Sequence, residues 1–398
     1  MITIPVEPKI TEYLHRKASL AGIPLNGTFE LTPCCNMSCK MCYVRMTKQQ
    51  QEQIAPLRTA GEWLTLAEEA KKHGMVYLLL TGGEPFLRPD IREILTGLNK
   101  MGLLVSINSN ATLIDEEVIS WLKEVPPTRV NVTLYGASDA TYERLCGNAK
   151  GFTQAVRGIR LLKDAGIVVK INCSITPHNV NDVEGIFAFA KQEGLLVQAT
   201  SYMFPPLRRD TAMVGRNDRL TAEEAAYQSA KTICLLNGEE YFLQKMKNRA
   251  HMSLPGDSGE DCPELPAEGD RIRCRAGKCS FWITWDGRML PCGMFPGENA
   301  ENVFRNGFTA TWEKVKEATS AIRMSPKCSK CQMRDQCRAC AAMALTETGR
   351  FDRVPEYRCQ MMHAFDEASR LLERQILERQ GGLSFEKNKQ DNHCNSDS

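Results

Sequence analysis

The stretch Thr28-Phe-Glu-Leu-Thr-Pro-Cys-Cys-Asn-Met-Ser-Cys-Lys-Met-Cys42 joins a short apolar run to three regularly spaced thiols, Cys35, Cys39 and Cys42. Thiolates hold iron–sulfur clusters, and a four-iron cluster usually takes four cysteines. Three cysteines on one loop would leave one iron with an open position, and chemistry takes place at open positions on metals. Two other interpretations stay open: a zinc site, which usually takes cysteines in pairs, and a loop of buried, inert cysteines.

The spacing of these cysteines, three residues and then two, with the aromatic Tyr43 after the last, resembles the signature of the radical S-adenosylmethionine (SAM) enzymes. The resemblance implies that Cys35, Cys39 and Cys42 bind a [4Fe-4S] cluster to which SAM binds. Cys34 is adjacent but outside this spacing. We interpret Cys34 as a small buried residue at the end of a strand.

The composition is that of an ordinary globular protein, with 42% hydrophobic residues, 25% charged residues and a net charge of +2. This balance argues against nucleic acid or a membrane as the main partner. Neither a long apolar run nor a signal-peptide pattern is visible. The seventeen cysteines lie in tight clusters, which favours metal binding over disulfides and a reducing, cytoplasmic and anaerobic setting.

From Thr28 onward, short β-branched or apolar runs alternate with amphipathic helical stretches. Six such units in series predict an α/β fold, a partial (β/α)6 TIM-like barrel with a parallel sheet and right-handed crossovers. The segment Thr59-Ala-Gly-Glu62 predicts a capping box at the start of a helix. The predicted strands are Phe29–Thr32, Val76–Thr81, Leu103–Asn108, Arg129–Leu134, Val168–Ser174 and Leu195–Ser201, and helices should end at Gly74, Gly102, Gly166 and Gly194.

Shifts in composition suggest how the chain is divided, with a Gly-, Pro- and acid-rich segment after Arg249 as the main boundary. A helix is expected from Glu356 to Arg379, followed by a polar tail. The expected segments are 1–27 (N-terminal, with a helix over Lys9–Ala21), 28–250 (barrel), 251–273 (linker or substrate-covering loop), 274–360 (cysteine-rich extension with a β-hairpin), 361–383 (C-terminal helix) and 384–398 (disordered tail).

The loops after the first three predicted strands should share one rim, because ligands collect where parallel strands end. Gly82-Gly83-Glu84-Pro85 follows the second strand, and Asn110 follows the third. Glycines let backbone approach a ligand closely, and exposed carbonyls or Glu84 can accept bonds from an amine. The segment resembles the one that holds the methionyl amino group of SAM in the family, and we count Pro85 and Asn110 with it; a plain turn is the alternative.

Two further residues resemble family positions that contact the ribose and the carboxylate of SAM. These are Thr133, at the end of the fourth strand, and Arg144. Other family members often have Ser at the first position, so Thr133 is a departure from the pattern. The alternative is a strand hydroxyl and a surface arginine without a functional role.

The extension has its own cysteine pattern. Asp286-Gly287 predicts a hairpin turn between Phe281–Trp285 and Arg288–Leu290 that brings Cys292 back toward Cys274. Taken alone, its two later Cys-x2-Cys pairs look like a zinc ribbon. The whole run resembles the SPASM extension of radical SAM enzymes, with two residues rather than three between Cys337 and Cys340. The resemblance implies two auxiliary [4Fe-4S] clusters, the first on Cys274, Cys279, Cys292 and Cys340, the second on Cys328, Cys331, Cys337 and Cys359.

By this resemblance, the chain would cleave SAM reductively and modify a peptide or protein substrate. An electron donor such as flavodoxin or ferredoxin would be needed. The segment before Cys35 is short for a leader-recognition domain, so we expect leader binding to need a separate leader-peptide-binding protein or another surface. Chemistry on a small molecule or tetrapyrrole is the second hypothesis, and a zinc-rich binding protein is a third. Sulfatase maturation is disfavoured, because those relatives carry Asp where Gly293 stands.

We predict that replacing Cys35, Cys39 and Cys42 together with Ala removes about a third of the iron, because two of three clusters would remain. Iron and sulfide assays on anaerobically prepared protein measure this loss. SAM cleavage, followed as 5′-deoxyadenosine, should be abolished, and Cys34→Ala is the control that should change neither. Production of 5′-deoxyadenosine by the triple variant would refute the assignment.

Overall fold

A computed structural model describes residues 9–248 and 269–393 of the chain. Most of the expected linker at 251–273 therefore lies outside the described residues. So do the start of the expected N-terminal segment and residues 394–398 of the expected tail.

The described strands form one sheet in the order β6-β5-β4-β3-β2-β1-β7-β8. Strands β1 to β6 pair in parallel, as predicted for a partial barrel. All six predicted strands are present; the first starts earlier than predicted, because Asn26 already pairs with Tyr77. The bounds are β1 Asn26–Glu30, β2 Tyr77–Thr81, β3 Leu104–Ser109, β4 Arg129–Thr133, β5 Val169–Ser174, β6 Leu196–Thr200, β7 Ser280–Ile283 and β8 Met289–Leu290.

The helices of the barrel lie between these strands, and their ends follow the predicted chemistry. Thr59 and Glu62 form the predicted capping box. The four glycines predicted at helix ends all adopt positive φ angles. The helices are α1 Lys9–Ala21, α2 Lys48–Ile54, α3 Ala60–Lys72, α4 Ile91–Lys100, α5 Glu116–Leu122, α6 Asp139–Cys146, α7 Gly151–Asp164, α8 Val183–Glu193, α9 Ala222–Asn237, α10 Glu239–Lys247, α11 Val303–Asn306, α12 Phe308–Ala321, α13 Pro326–Ser329, α14 Arg334–Cys337, α15 Ala341–Thr348 and α16 Glu356–His393, with short 3-10 turns at Pro85–Leu87, Val180–Asp182 and Thr211–Met213.

The hairpin of the extension is part of the barrel sheet. Strand β7 pairs in parallel with β1, from Asn26 opposite Ser280 to Phe29 opposite Ile283. Strand β8 then pairs antiparallel with β7. The turn between them contains Gly287 at a φ of +96°, as a tight hairpin requires. The cysteine-rich extension is thus joined to the barrel by backbone hydrogen bonds as well as by the chain.

The C-terminal helix is longer than predicted. Helix α16 continues to His393, whereas the sequence analysis ended the helix at Arg379 and expected a disordered tail from residue 384. No proline interrupts this part of the chain, and Glu, Lys and Gln are good helix formers. Among the described residues, no helix is long and apolar enough to cross a membrane.

Alternation along the strands separates the core from the barrel interior. On β3, Val105 and Ile107 are buried under the surrounding helices, whereas Ser106 and Asn108 are partly exposed. On the helix side, Trp63 is fully buried and its ring lies 4.9 Å from that of Phe29. An apolar layer therefore supports the strands from outside and leaves polar side chains facing inward.

One buried arginine joins the segments that lead into the rim. The Arg88 guanidinium donates to the carbonyl oxygens of Leu31 and Arg58, both at 2.8 Å. It also pairs with both carboxylate oxygens of Asp90, at 2.8 and 2.6 Å. A single side chain thus connects the end of β1 with the segment after β2.

We predict that Arg88→Ala lowers the free energy of unfolding by about 3 kcal/mol, because it leaves Asp90 without its partner and two carbonyl groups without a donor. The matched control is Arg92→Ala. Arg92 and its partner Glu124 are 58% and 67% exposed, so the loss should be below about 1 kcal/mol. Urea unfolding of the cluster-free protein measures both, and equal losses would contradict the assigned role of Arg88.

Candidate active site

The cysteine loop, residues 35–42, lies across the C-terminal end of α6. The N–H groups of Ser38 and Lys40 donate to the carbonyl oxygens of Cys146 and Leu145, at 2.8 and 3.1 Å. Carbonyl groups in the last turn of a helix lack partners within the helix, and the loop supplies them. A helix that follows β4 therefore shapes the loop that follows β1.

Burial makes two of the three thiols, Cys35 and Cys42, poor anions on their own. Cys39 is buried, whereas Cys35 and Cys42 are partly exposed. Loss of hydration raises the pKa of Cys35 to about 12 and also raises the pKa of Cys42. A bound cation reverses this balance, because it attracts the charge of the thiolates. Three soft sulfur donors in this setting fit an iron–sulfur cluster.

Several N–H donors point at the sulfur atoms of the loop. The Met37 N–H group lies 3.4 Å from Cys35 Sγ, and the Arg45 N–H group lies 3.3 Å from Cys42 Sγ. Hydrogen bonds to the sulfurs are one of the means by which a protein sets the potential of a cluster. The loop thus provides this environment from its own backbone.

Cys146 is a residue of the site that the sequence analysis did not single out. Its thiol donates a hydrogen bond to the sulfur of Cys39, which lowers the pKa of Cys39 and raises that of Cys146. Tyr135, just beyond β4, also donates to the Cys39 sulfur. Cys146 is far from the motif in the chain and follows no metal-ligand spacing, so no local pattern could have identified it.

The Gly82–Pro85 loop packs directly on the backbone of the segment before Cys35. The Gly83 N–H group donates to the Thr32 carbonyl at 2.7 Å, and the Glu84 N–H group donates to the Cys34 carbonyl at 2.9 Å. A Cβ atom on Gly83 would lie 2.1 Å from the Cys34 oxygen, and one on Gly82 would lie 2.3 Å from the Thr32 oxygen. The two glycines are therefore required by the contact between the two loops.

The Glu84 carboxylate binds groups of the protein itself. It accepts hydrogen bonds from the Ser109 hydroxyl at 2.9 Å and from the N–H groups of Asn110 and Phe86, at 2.8 and 3.1 Å. Its side chain is fully buried, and this burial raises its pKa to about 7. Glu84 joins the loop after β2 to the loop after β3, so that its carboxylate is occupied by protein donors rather than free to accept from an amine. The sequence analysis had considered both the carboxylate and the carbonyls for that task.

The remaining residues expected to contact SAM lie on the same rim. The side-chain amide of Asn110 donates from Nδ2 to Asn36 Oδ1 at 2.9 Å, and the same Nδ2 lies 3.7 Å from Cys35 Sγ. Arg144 in α6 donates to the His178 carbonyl at 2.7 Å. Thr133 is the last residue of β4 and is partly exposed. Asn110 is therefore hydrogen-bonded to the cysteine loop, whereas Arg144 is hydrogen-bonded to the loop after β5.

The structure sorts the eight cysteines of the extension into two groups. In the first group, burial and, to a smaller extent, the nearby sulfurs of Cys274 and Cys292 raise the pKa of Cys340 to about 12. Cys279 also belongs to this group, because the nearby sulfur of Cys274 contributes to raising the pKa of Cys279. The Ser19 hydroxyl of α1 donates to the Cys279 sulfur at 3.0 Å. These four cysteines, which we call the first auxiliary group, are Cys274, Cys279, Cys292 and Cys340.

The second auxiliary group consists of Cys328, Cys331, Cys337 and Cys359. Burial and, to a smaller extent, the other three sulfurs of the group raise the pKa of Cys328 to about 11. The neighbours Cys337 and Cys340 therefore lie in different groups. Among the described residues, no three His, Cys, Asp or Glu side chains are arranged to hold a single metal ion.

A cavity of about 990 Å³ runs through the barrel into the extension. Its wall includes the first residues of β3 and β4, Leu104 and Arg129, and the last residue of β5, Ser174. Its wall also includes Tyr43, Trp282 and cysteines of both auxiliary groups. One continuous space thus connects the barrel interior with the cysteine-rich extension.

We predict that Gly83→Ala lowers both the iron content of the catalytic cluster and the affinity for SAM, because the added Cβ would displace the Cys34 backbone next to Cys35. The control is Gly61→Ala, where a Cβ meets nothing within 4 Å. Iron per chain and SAM binding by equilibrium dialysis measure the effects. Normal iron content in Gly83→Ala would show that the loop contact tolerates the methyl group.

Comparison with known proteins identifies the domain that contains these loops. Residues 29–190 match the sequence model of the radical SAM superfamily. An S-adenosylmethionine-dependent heme synthase of Methanosarcina barkeri (strain Fusaro / DSM 804) is 25% identical over 351 residues, which cover 83% of this chain and 95% of the relative. The antilisterial bacteriocin subtilosin biosynthesis protein AlbA of Bacillus subtilis (strain 168) is 25% identical over 318 residues, 79% of this chain and 65% of the relative.

The fold has solved counterparts. Streptococcus suis SuiB, in a crystal structure with its precursor peptide SuiA, aligns with a TM-score of 0.63 at 16% identity, covering 87% of this chain and 79% of SuiB. At this identity the likeness shows the fold. The superfamily itself implies a [4Fe-4S] cluster and SAM. Residues 29–190 are therefore a radical SAM domain, and the chain is an enzyme in which this domain is followed by a cysteine-rich extension that resembles the SPASM type.

Proposed function

We propose that this enzyme cleaves SAM reductively and modifies a peptide substrate. The observation that carries the proposal is the lining of the cavity, which includes residues at the starts of β3 and β4 together with cysteines of both auxiliary groups. A single space shared by the barrel and the extension suits a segment of extended polypeptide, which is narrow and continues in both directions. The named role of AlbA in bacteriocin biosynthesis agrees with this substrate class.

In this proposal Cys35, Cys39 and Cys42 hold the catalytic [4Fe-4S] cluster. When bound, the reduced cluster supplies one electron to SAM, which gives methionine and a 5′-deoxyadenosyl radical that takes a hydrogen atom from the substrate. The backbone carbonyls of residues 82–84 accept the methionyl amino group, and Pro85 and Asn110 complete this wall. These contacts are proposed because the Glu84 carboxylate is already occupied by protein donors.

Thr133 and Arg144 are the proposed contacts of the ribose and the carboxylate of SAM. Arg144 is oriented for this role, because the His178 carbonyl and the Thr141 hydroxyl, at 2.7 and 3.1 Å, hold its guanidinium at the rim. Guanidinium groups bind carboxylates well, since their N–H groups match the two oxygens. The protein thus positions SAM and excludes water around it.

The two auxiliary groups are the proposed ligands of two further [4Fe-4S] clusters. Each group has four cysteines, which is the number that a fully ligated cluster takes. Full ligation favours a role in electron transfer over direct substrate binding. The interleaving of the two groups in the chain would also fix the extension, which has few apolar contacts of its own in the small cluster around Ile272 and Phe295.

A second candidate is chemistry on a tetrapyrrole. The heme synthase relative matches most of the chain, and the cavity wall includes apolar side chains such as Met203, Phe204 and Trp282 that suit a flat macrocycle. Sulfatase maturation is disfavoured by the geometry. A Cβ on Gly293 would lie 2.7 Å from the Trp282 ring, so the Asp of those relatives could not be placed there without rearrangement.

We predict that the reconstituted, reduced enzyme forms 5′-deoxyadenosine and changes the mass of a peptide encoded next to its gene. Fe-coproporphyrin III, offered in a parallel reaction, should stay unchanged. In Cys359→Ala, SAM cleavage should persist while peptide product is lost, because hydrogen abstraction precedes the electron transfer that the second auxiliary cluster would serve. Cys234→Ala, a buried cysteine outside both groups, is the control. Conversion of the porphyrin with no change in the peptide would establish the second candidate instead.

A further inference from the structure

Two consecutive arginines after β6 connect the catalytic loop with the first auxiliary group. Arg209 Nη1 donates to the Cys42 carbonyl at 3.2 Å. Arg208 Nη1 donates to the Gly293 carbonyl, also at 3.2 Å, and Gly293 directly follows Cys292. One dipeptide thus contacts a residue of the catalytic motif and a neighbour of an auxiliary cysteine.

We propose that Arg208 and Arg209 form a strap that fixes the Cys292 loop against the catalytic loop. The strap holds the loop where the radical forms and the first auxiliary group at a fixed distance from each other. This inference rests on the proposed function, since it assigns the strap to the same cavity. Arg208 and Arg209 act here as positioning residues. Neither is among the residues assigned to SAM.

The strap is anchored by a buried ion pair. Arg208 Nη2 donates to both oxygens of Glu30, at 2.9 and 2.8 Å. The Trp282 indole N–H group donates to the same carboxylate at 3.0 Å. The side chains of Arg208 and Glu30 are only 8% and 0% exposed. Two buried charges with these partners allow few alternative positions, because any movement would leave a charge unpaired.

Two aromatic rings pack near the Arg208 guanidinium and restrict its position. The Arg208 guanidinium carbon lies 5.6 Å from the centre of the Tyr43 ring and 6.0 Å from that of Trp282. Tyr43 follows Cys42 in the chain, and Trp282 lies on β7 of the extension. Gly293 lies against the Trp282 ring, where a Cβ would come within 2.7 Å. Arg208 therefore sits between an aromatic side chain of the barrel and one of the extension.

These contacts border the cavity, whose wall includes Tyr43, Trp282, Cys292 and Gly293. A substrate held there would meet the catalytic loop on one side and the first auxiliary group on the other. Small displacements of reacting groups reduce rates strongly, so a fixed spacing of the two loops has a direct chemical consequence. Loss of the strap should uncouple SAM cleavage from product formation.

The test uses Arg208→Lys in the reconstituted holoenzyme. Lysine can keep the charge pair with Glu30, but it cannot also reach the Gly293 carbonyl as the planar guanidinium does. We expect normal iron content and SAM cleavage, with the amount of product per 5′-deoxyadenosine reduced about tenfold. The magnetic interaction between the reduced clusters, read from electron paramagnetic resonance spectra, should change as well. The double variant Glu30→Gln/Arg208→Gln, which leaves no unpaired buried charge, should show the same uncoupling.

Arg160→Lys, at an arginine that is 53% exposed and pairs with Glu193, is the matched control and should behave as wild type. An unchanged product ratio together with an unchanged cluster interaction in both Arg208 variants would overturn the strap. If the wild-type enzyme makes no peptide product but the cluster interaction still changes in Arg208→Lys, the strap stands and the proposed substrate falls. The spectra therefore separate this inference from the function on which it rests.

Discussion

The Glu84 N–H group donates to the Cys34 carbonyl, and the glycine before Glu84 leaves no room for a side chain at this contact. The position of the catalytic cysteines depends on this approach of two backbones. From there the hydrogen bonds spread to the third loop through the Glu84 carboxylate and Asn110, and Asn110 returns to the cysteine loop through Asn36. Three loops after three neighbouring strands thus form one rigid frame.

This arrangement requires several charged groups to be buried. Glu84, the pair of Glu30 and Arg208, and the pair of Arg88 and Asp90 all remove ionised groups from water near the rim. Such groups contribute little net stability, since their desolvation offsets their attraction. Their hydrogen bonds do restrict position, which a site that must hold a cluster and SAM in one geometry requires.

The extension is attached to the barrel at several independent points. Strand β7 pairs with β1, and Ser19 of α1 donates to the sulfur of Cys279. Within the extension, Arg358, at the start of α16, donates to the Cys337 carbonyl at 2.9 Å and so connects the second auxiliary group to this helix. Barrel and extension therefore share a sheet and a cavity, which allows one substrate to face both.

The sequence by itself determined those features that depend on neighbours in the chain. Thiol spacing identified the cysteine loop, strand periodicity identified the six parallel strands, and glycines marked helix ends such as Gly74 and Gly194, because each rests on local backbone geometry. Only the tertiary structure decided which distant groups meet. Arg208 and Glu30 are separated by 178 positions, and the Ser38 loop and Cys146 by 108. Three features depend on how helices and strands pack, and no local pattern in the sequence records them. They are the hydrogen bonds to the Glu84 carboxylate, the thiol of Cys146 beside Cys39, and the strap of Arg208 and Arg209.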